Sequence, residues 1–224
     1  MSRVKTAGII VAMVLGLAIN GLSQGMGGRK GSAAPQMLGT FNPVVGSGAA
    51  YQMTTKDRSM EFAYVIVGKE EVEGSAGFWM EIRSSGAGTA GEMVMKQLIV
   101  LGGDKPQVKR MITQSAGRPP IELPTAMMRM QQRGSGGQQG DSDPGVKVGS
   151  ETITVPAGTF DCEHYRKQTL GGPEDVWVSA KVSPYGTVRM ASGEMTMVLE
   201  KVLSNETSHI KGEPQKLKFE MPQF

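Results

Sequence analysis

The sequence predicts a mainly β protein: a single antiparallel sheet, curved or partly closed like a half-barrel, with one short helix. Short runs rich in β-branched, aromatic and alternating residues recur about ten times, and turn-forming Gly, Pro, Asp and Ser part them at close spacing. No alternation of strands with helical patterns interrupts the series, which leaves an antiparallel sheet rather than a parallel one.

Taken in order, the chain opens with two cations in "MSRVK", an uncharged apolar run "TAGIIVAMVLGLAI", and small residues at Gly21 and Ser23 before Gln24. That is the layout of a secretory signal peptide over residues 1–23. The apolar run falls short of the roughly 20 residues of a spanning helix. No cysteine follows the cleavage point to carry a lipid. The expectation is a periplasmic or secreted protein with no transmembrane segment in its mature chain. Residues 24–45, rich in Gly, Ser, Ala and Pro, read as a flexible leader, and 46–224 as a single β domain.

The expected strands are 49–55, 60–68, 77–85, 92–101 and 107–114, then 151–155, 159–167, 175–182, 186–190 and 194–203. Between the two groups, "LPTAMMRMQQR" from Leu123 to Arg133 favours a helix with Thr125 as a candidate N-cap. A Gly-, Ser- and Asp-rich loop over 134–145 follows it. Two domains split at this loop would hold only about 80 residues each, so one sheet spanning it is preferred.

Charge and cysteine content exclude several classes. Lys and Arg number 24 against 21 Asp and Glu, and without Arg3 and Lys5 the balance is 22 against 21. No basic run suggests nucleic acid. The lone cysteine excludes an internal disulfide framework. It stands in "TFDCEHYRK", two residues before His164. A hairpin over "VPAGT" closing with Val155 opposite Phe160 sets Ile153 opposite Cys162 and Glu151 opposite His164. Val155, Ile153, Phe160 and Cys162 then share one face, and Thr152, Thr154, Asp161 and Glu163 the other. Cys162 becomes a small core hydrophobe, with His164 at the margin of its face beside an acid. Two ligands fall short of the four a structural zinc needs, so no metal or other cofactor is expected.

Other chemical motifs fail on context. "GAGTAG", Gly86 to Gly91, matches the dinucleotide fingerprint in letters, but a strand rather than a helix is expected after it. There is no nucleophile elbow, and His164 and His209 are the only candidate bases. His209 falls in "SHIKGEP", which reads as an exposed connection. Glu70–Glu71 and Glu174–Asp175 read as solvated acids in polar turns. The protein is expected not to be an enzyme.

Methionine is the unusual residue, 17 in the chain against 6 Phe and 4 Tyr. Met93 and Met95 share a strand face by spacing, as do Met195 and Met197, and Met127, Met128 and Met130 cluster on the expected helix. Three readings stay open: core filler in a chain short of aromatics, an adaptable apolar surface for irregular ligands, or soft thioether ligands for exported Cu(I) handling.

The many short antiparallel strands, the short methionine-rich helical segment and the lack of a catalytic motif resemble the LolA/LolB-type lipoprotein-carrier superfamily. Locally, "ETITVPAGTFDCEHYRK…DVWVSAKVSPYGTVRM" resembles a phrase of uncharacterised exported bacterial proteins: a hairpin, a strand carrying Trp177 and Ser179, and a Pro–x–Gly turn. In the carrier family an incomplete, strongly curved barrel is covered by helix, and its apolar concavity receives acyl chains. The resemblance implies a lipid or lipidated-protein ligand, a covering segment bearing Met127, Met128 and Met130, and Trp79 and Trp177 on sheet strands as further ligand-binding candidates. A cell-envelope interaction module, pairing a partner along an exposed sheet edge, is the alternative expectation.

Overall fold

A computed structural model describes residues 41–85, 91–102, 106–124, 145–169 and 172–217. They form one twelve-stranded sheet in the order β12-β6-β5-β4-β3-β2-β1-β11-β10-β9-β8-β7. The strands are β1 (Gly48–Thr55), β2 (Arg58–Val72), β3 (Ser75–Ser85), β4 (Met93–Val100), β5 (Gln107–Ser115), β6 (Ile121–Glu122), β7 (Val146–Val155), β8 (Gly158–Thr169), β9 (Gly172–Val178), β10 (Thr187–Ser192), β11 (Met195–Leu203) and β12 (Gln215–Lys216). All pairings are antiparallel except β12 with β6. The sheet runs unbroken across the Gly-rich stretch, and no helix occurs among the described residues. The expected helix lies, apart from Leu123 and Pro124, outside the described residues, as do the signal segment, most of the leader and loop positions 134–144.

Turn chemistry sets these hairpins. Between β2 and β3, Glu73 and Gly74 both take positive φ, 52° and 75°, with Val72 paired to Ser75. That is the two-residue loop whose twist matches flanking strands, and Gly74 supplies the left-handed position without strain. At the start of β7, Gly145 has φ 87°, and a side chain there would lie 2.3 Å from the carbonyl oxygen of Arg166. Only glycine lets β7 approach β8 so closely.

Alternation then divides the side chains. One face carries Tyr51, Met53, Met60, Phe62, Tyr64, Ile66, Met80, Ile82, Met95 and Ile99, all in a single buried cluster. The sheet curls so far that the β7–β8 turn reaches β11, where the Ala157 N–H donates to the Leu199 carbonyl at 3.4 Å. Phe41, inside the stretch read as leader, is instead buried against Phe78 and Tyr185. Its apolar ring gains more from that contact than the neighbouring small residues gain from freedom.

The opposite face of β3, β4 and β5 has its own small cluster of Trp79, Leu98, Val100 and Ile112, capped by Ile210. Ile210 belongs to residues 204–214, a strap that leaves β11 and crosses to β6, where the chain ends its described course as β12. The strap includes the stretch read as an exposed connection. His209 is exposed, but Ser208 and Ile210 are partly covered.

The β7–β8 register differs from the expected one. Val155 pairs Gly158, Ile153 pairs Phe160 and Glu151 pairs Cys162, leaving Pro156 and Ala157 as a two-residue turn. The four-residue turn was wrong by a slip of two positions. Such a slip preserves faces, so Ile153, Val155, Phe160 and Cys162 still share theirs.

Candidate functional site

The methionines organise the buried face. Met60 of β2 stands directly opposite Met53 of β1, Met53 opposite Met197 of β11, and Met197 opposite Met190 of β10. Val176 of β9 closes the row beside Met190. Directly opposed side chains stand about 4.5–5.5 Å apart at Cβ, so neighbouring thioethers are in reach of one another. Met60, the most open of the four, is 8% exposed.

A second row lies on the same face, where Ile66 of β2 is opposite Met80, Met80 opposite Gln97, and Gln97 opposite Met111. Three tyrosines lie on this face or against it. Tyr64 makes edge contacts with Tyr51 at 6.1 Å and with Tyr185 at 6.0 Å. Burial pushes the phenols of Tyr51, Tyr64 and Tyr185 well up, so each remains a neutral hydroxyl. Tyr51 donates to the Thr187 carbonyl at 2.9 Å, and Tyr185 to the sulfur of Met80 at 3.4 Å.

Gln97 departs from the apolar pattern of this face. It is fully buried, and its Nε2 donates to Met95 Sδ at 3.2 Å. Its Oε1 has no donor among the described residues. A buried carbonyl left unpaired costs about 1–3 kcal/mol, which a leucine at position 97 would avoid.

A polar group lies on β7, β8 and β9. His164 stacks on Trp177, centroids 4.5 Å apart and planes 16° apart. Its Nε2 is 2.6 Å from Asp175 Oδ1 and its Nδ1 3.1 Å from Glu151 Oε1. Trp177 Nε1 donates to Glu151 at 2.6 Å, and Arg166 Nε donates to Asp175 at 2.8 Å. Arg189 covers Trp177, its guanidinium carbon 5.2 Å from the ring centroid. Burial alone would raise Asp175, but hydrogen bonds from Arg166 and His164 hold its carboxyl below the usual value. Glu174 and Asp175 lie on β9 and Glu70 and Glu71 on β2, so the expected polar turns are strands. Glu70 there accepts from Trp79 Nε1 at 2.9 Å.

Cys162 is buried, and burial, with Asp161 and Glu151 nearby, pushes its thiol up to about 11. It is a neutral thiol donating weakly to the Phe160 carbonyl at 3.6 Å. No cluster of three or more His, Cys, Asp or Glu side chains able to hold a metal occurs among the described residues. Gly86 to Ala90 of the "GAGTAG" stretch lie outside the described residues, and the element after it is β4, antiparallel to β3. A phosphate-binding turn needs a helix there.

Of the expected ligand-binding residues, Met127, Met128 and Met130 lie outside the described residues. Trp79 is on the strap face of β3, between Lys96 and Arg110 at 5.0 and 5.1 Å. Trp177, next to Val176 on β9, is partly buried and packs against the main apolar cluster. A cleft of about 420 Å³ lies on the outer side of β1–β3 among Gln52, Glu61, Ala63, Arg83, Glu92 and Lys201. Its lining mixes charged side chains with Tyr51, Phe62 and Ala50 and contains no methionine. Sequence reasoning missed Gln97, although a polar residue two positions from both Met95 and Ile99 breaks the strand's alternation. It missed Asp175 as the partner of His164 because that contact depends on β8–β9 register.

No protein-family model matches the chain, and no curated protein matches it in sequence. Among solved structures, the chain is similar to a "putative lipoprotein" from Parabacteroides distasonis ATCC 8503, with a TM-score of 0.38, 13% identity, and coverage of 72% of this chain and 97% of that one. It is also similar to a "putative exported protein with YmcC-like fold" from Bacteroides fragilis NCTC 9343, with a TM-score of 0.34, 15% identity, and coverage of 74% and 99%. No helix of the described residues is long and apolar enough to cross a membrane.

Proposed function

We propose that this is a non-enzymatic binding or carrier protein, exported to the periplasm or beyond, whose methionine-lined sheet face receives an apolar ligand such as a lipid or lipidated protein. The row Met60–Met53–Met197–Met190 carries the reading. Unbranched thioether side chains repack around irregular apolar partners more readily than branched ones, and the inside of a curved sheet is where such sites form. The resemblance to the LolA/LolB-type carriers supports the same class. Cys162 held as a thiol and His164 engaged at both ring nitrogens support a role without catalysis.

The same row supports a second reading, Cu(I) handling, because adjacent thioethers are soft ligands. Native mass spectrometry of the exported protein, before and after denaturation, separates the two. A lipid-sized mass lost on denaturation supports the carrier. A copper-sized increment supports the metal reading. A bare chain unchanged by added lipid or Cu(I) removes both, and then the edge strand β7, with Val146 and Val148 exposed, becomes the place to seek a partner.

A further inference from the structure

Gln97 sits in the middle of the second row, between Met80 and Met111, on the face assigned to the ligand. Its surroundings offer sulfur and hydrocarbon. The amide N–H side is met by Met95 Sδ at 3.2 Å, and Tyr185, a donor on this same side of the sheet, gives its hydroxyl to Met80 instead. The carbonyl oxygen therefore remains as a buried acceptor with no donor among the described residues. Neither the fold nor the apolar cluster gains from an amide here, since leucine or methionine would fill the volume without an unpaired oxygen. Local rules are broken in this way chiefly where a site needs the broken element.

The geometry points to a ligand that donates a hydrogen bond to Gln97 Oε1: an apolar chain carrying a hydroxyl or amide N–H, rather than a plain hydrocarbon or a group that only accepts. This inference rests on the apolar-ligand reading and specifies its chemistry. A hydrocarbon tail would contact Met80, Met95 and Met111, and the donor would pair with Oε1. An ester or ether oxygen brought to the same point would face the carbonyl acceptor to acceptor. In a site of low polarity, matching one buried donor to one buried acceptor is the source of discrimination.

The test compares 1-dodecanol with dodecyl methyl ether, which share the alkyl chain and differ in the O–H donor. Each displaces cis-parinaric acid from the exported full-length protein, read by fluorescence. The alcohol is expected to displace the probe at about tenfold lower concentration than the ether, the ratio that one satisfied buried hydrogen bond supplies. In Gln97→Met the two ligands should become equal, because the alcohol loses its acceptor and the ether no longer meets an opposing carbonyl oxygen. Gln97→Leu serves the same purpose if the methionine variant does not fold. Equal displacement by alcohol and ether in the wild type overturns the inference while leaving the apolar-ligand reading in place. Water alone satisfying Oε1 would produce that result. A preference that persists in Gln97→Met also overturns it. If neither compound nor the probe binds at all, the apolar-ligand reading fails and this inference falls with it.

Discussion

The carboxylate of Glu81, wholly buried on β3, accepts the backbone N–H of His209 at 2.9 Å and so fastens the C-terminal strap to the sheet. The same carboxylate takes Arg83 Nε at 3.3 Å and Nη2 at 3.2 Å, and it accepts the Ser208 hydroxyl. Arg83 in turn reaches Glu206 at 2.6 Å and the Thr207 carbonyl at 2.7 Å. Glu81 and Arg83 thus each have partners from both the sheet and the strap.

Removing Glu81 leaves buried Arg83 with Glu206 alone as its carboxylate partner and strips the Ser208 hydroxyl and His209 N–H of their acceptor. Glu81→Ala should therefore cost about 3–5 kcal/mol, far above the ~0–1 kcal/mol of an exposed pair. Replacing both, as Glu81→Leu with Arg83→Met, should restore much of the loss, because two apolar groups need no partners. Urea unfolding of the three proteins measures this. A single-variant loss below about 1 kcal/mol would mean that the latch contributes no more than a surface pair.

Cys162 makes a second expectation. Its thiol, raised to about 11 from an ordinary 9.0, holds roughly a hundredfold less thiolate at pH 8 than an unperturbed one, and thiolate is the reactive form. The native protein should react with Ellman's reagent about a hundredfold more slowly than the urea-unfolded chain. Equal rates would return Cys162 to the list of candidate nucleophiles.

These residues show what the sequence makes legible. Period-two alternation along 77–85 separates Trp79, Glu81 and Arg83 from Phe78, Met80 and Ile82, because the pleat alone fixes faces. It did not reveal that the Glu81 side is buried, since its cover comes from residues more than 120 positions later. The methionine pairs at 93/95 and 195/197 were visible by spacing, whereas the row through Met60, Met53, Met197 and Met190 depends on the register of four strands. His164 was placed near Glu151 even though the hairpin register was wrong by two, because the Nδ1 contact reaches diagonally. Its contact with Asp175 requires β9 to lie beside β8, which local pattern does not specify.

Acid should loosen the β8–β9 group. Burial opposes ionisation of Asp175, but its hydrogen bonds from Arg166 and His164 leave it below its ordinary 3.8. A carboxylate held lower in the folded than in the unfolded chain stabilises the fold above the unfolded value. That contribution is lost as pH falls through the lower, folded value. The melting temperature should thus decline as pH drops below about 4, and Asp175→Asn should lie below the wild type at pH 6 but converge with it in stronger acid. Parallel curves for the two proteins at every pH would show that the Asp175 contacts do not stabilise the fold.

The methionine row separates packing from function. Met197 is fully buried at its centre, so Met197→Ala should cost about 2–5 kcal/mol through the lost transfer energy and the cavity left behind. Met197→Leu conserves volume and should cost less than about 1.5 kcal/mol. If the row were only core filler, leucine at 53, 60, 190 and 197 together would leave a folded protein with unchanged binding. If the row is an adaptable ligand surface, the fourfold leucine variant should fold yet discriminate more sharply among chains of different length, because branched side chains repack less freely. Displacement of cis-parinaric acid by alkanols of 10, 12 and 14 carbons, a spacing set by roughly 0.8 kcal/mol per methylene, gives the comparison. A profile across those lengths that the variant leaves unaltered would assign the methionines to the core and move the search for a ligand site elsewhere. A Cu(I) titration of the same variant closes the remaining question, since four leucines supply no sulfur and would abolish any metal uptake owed to this row.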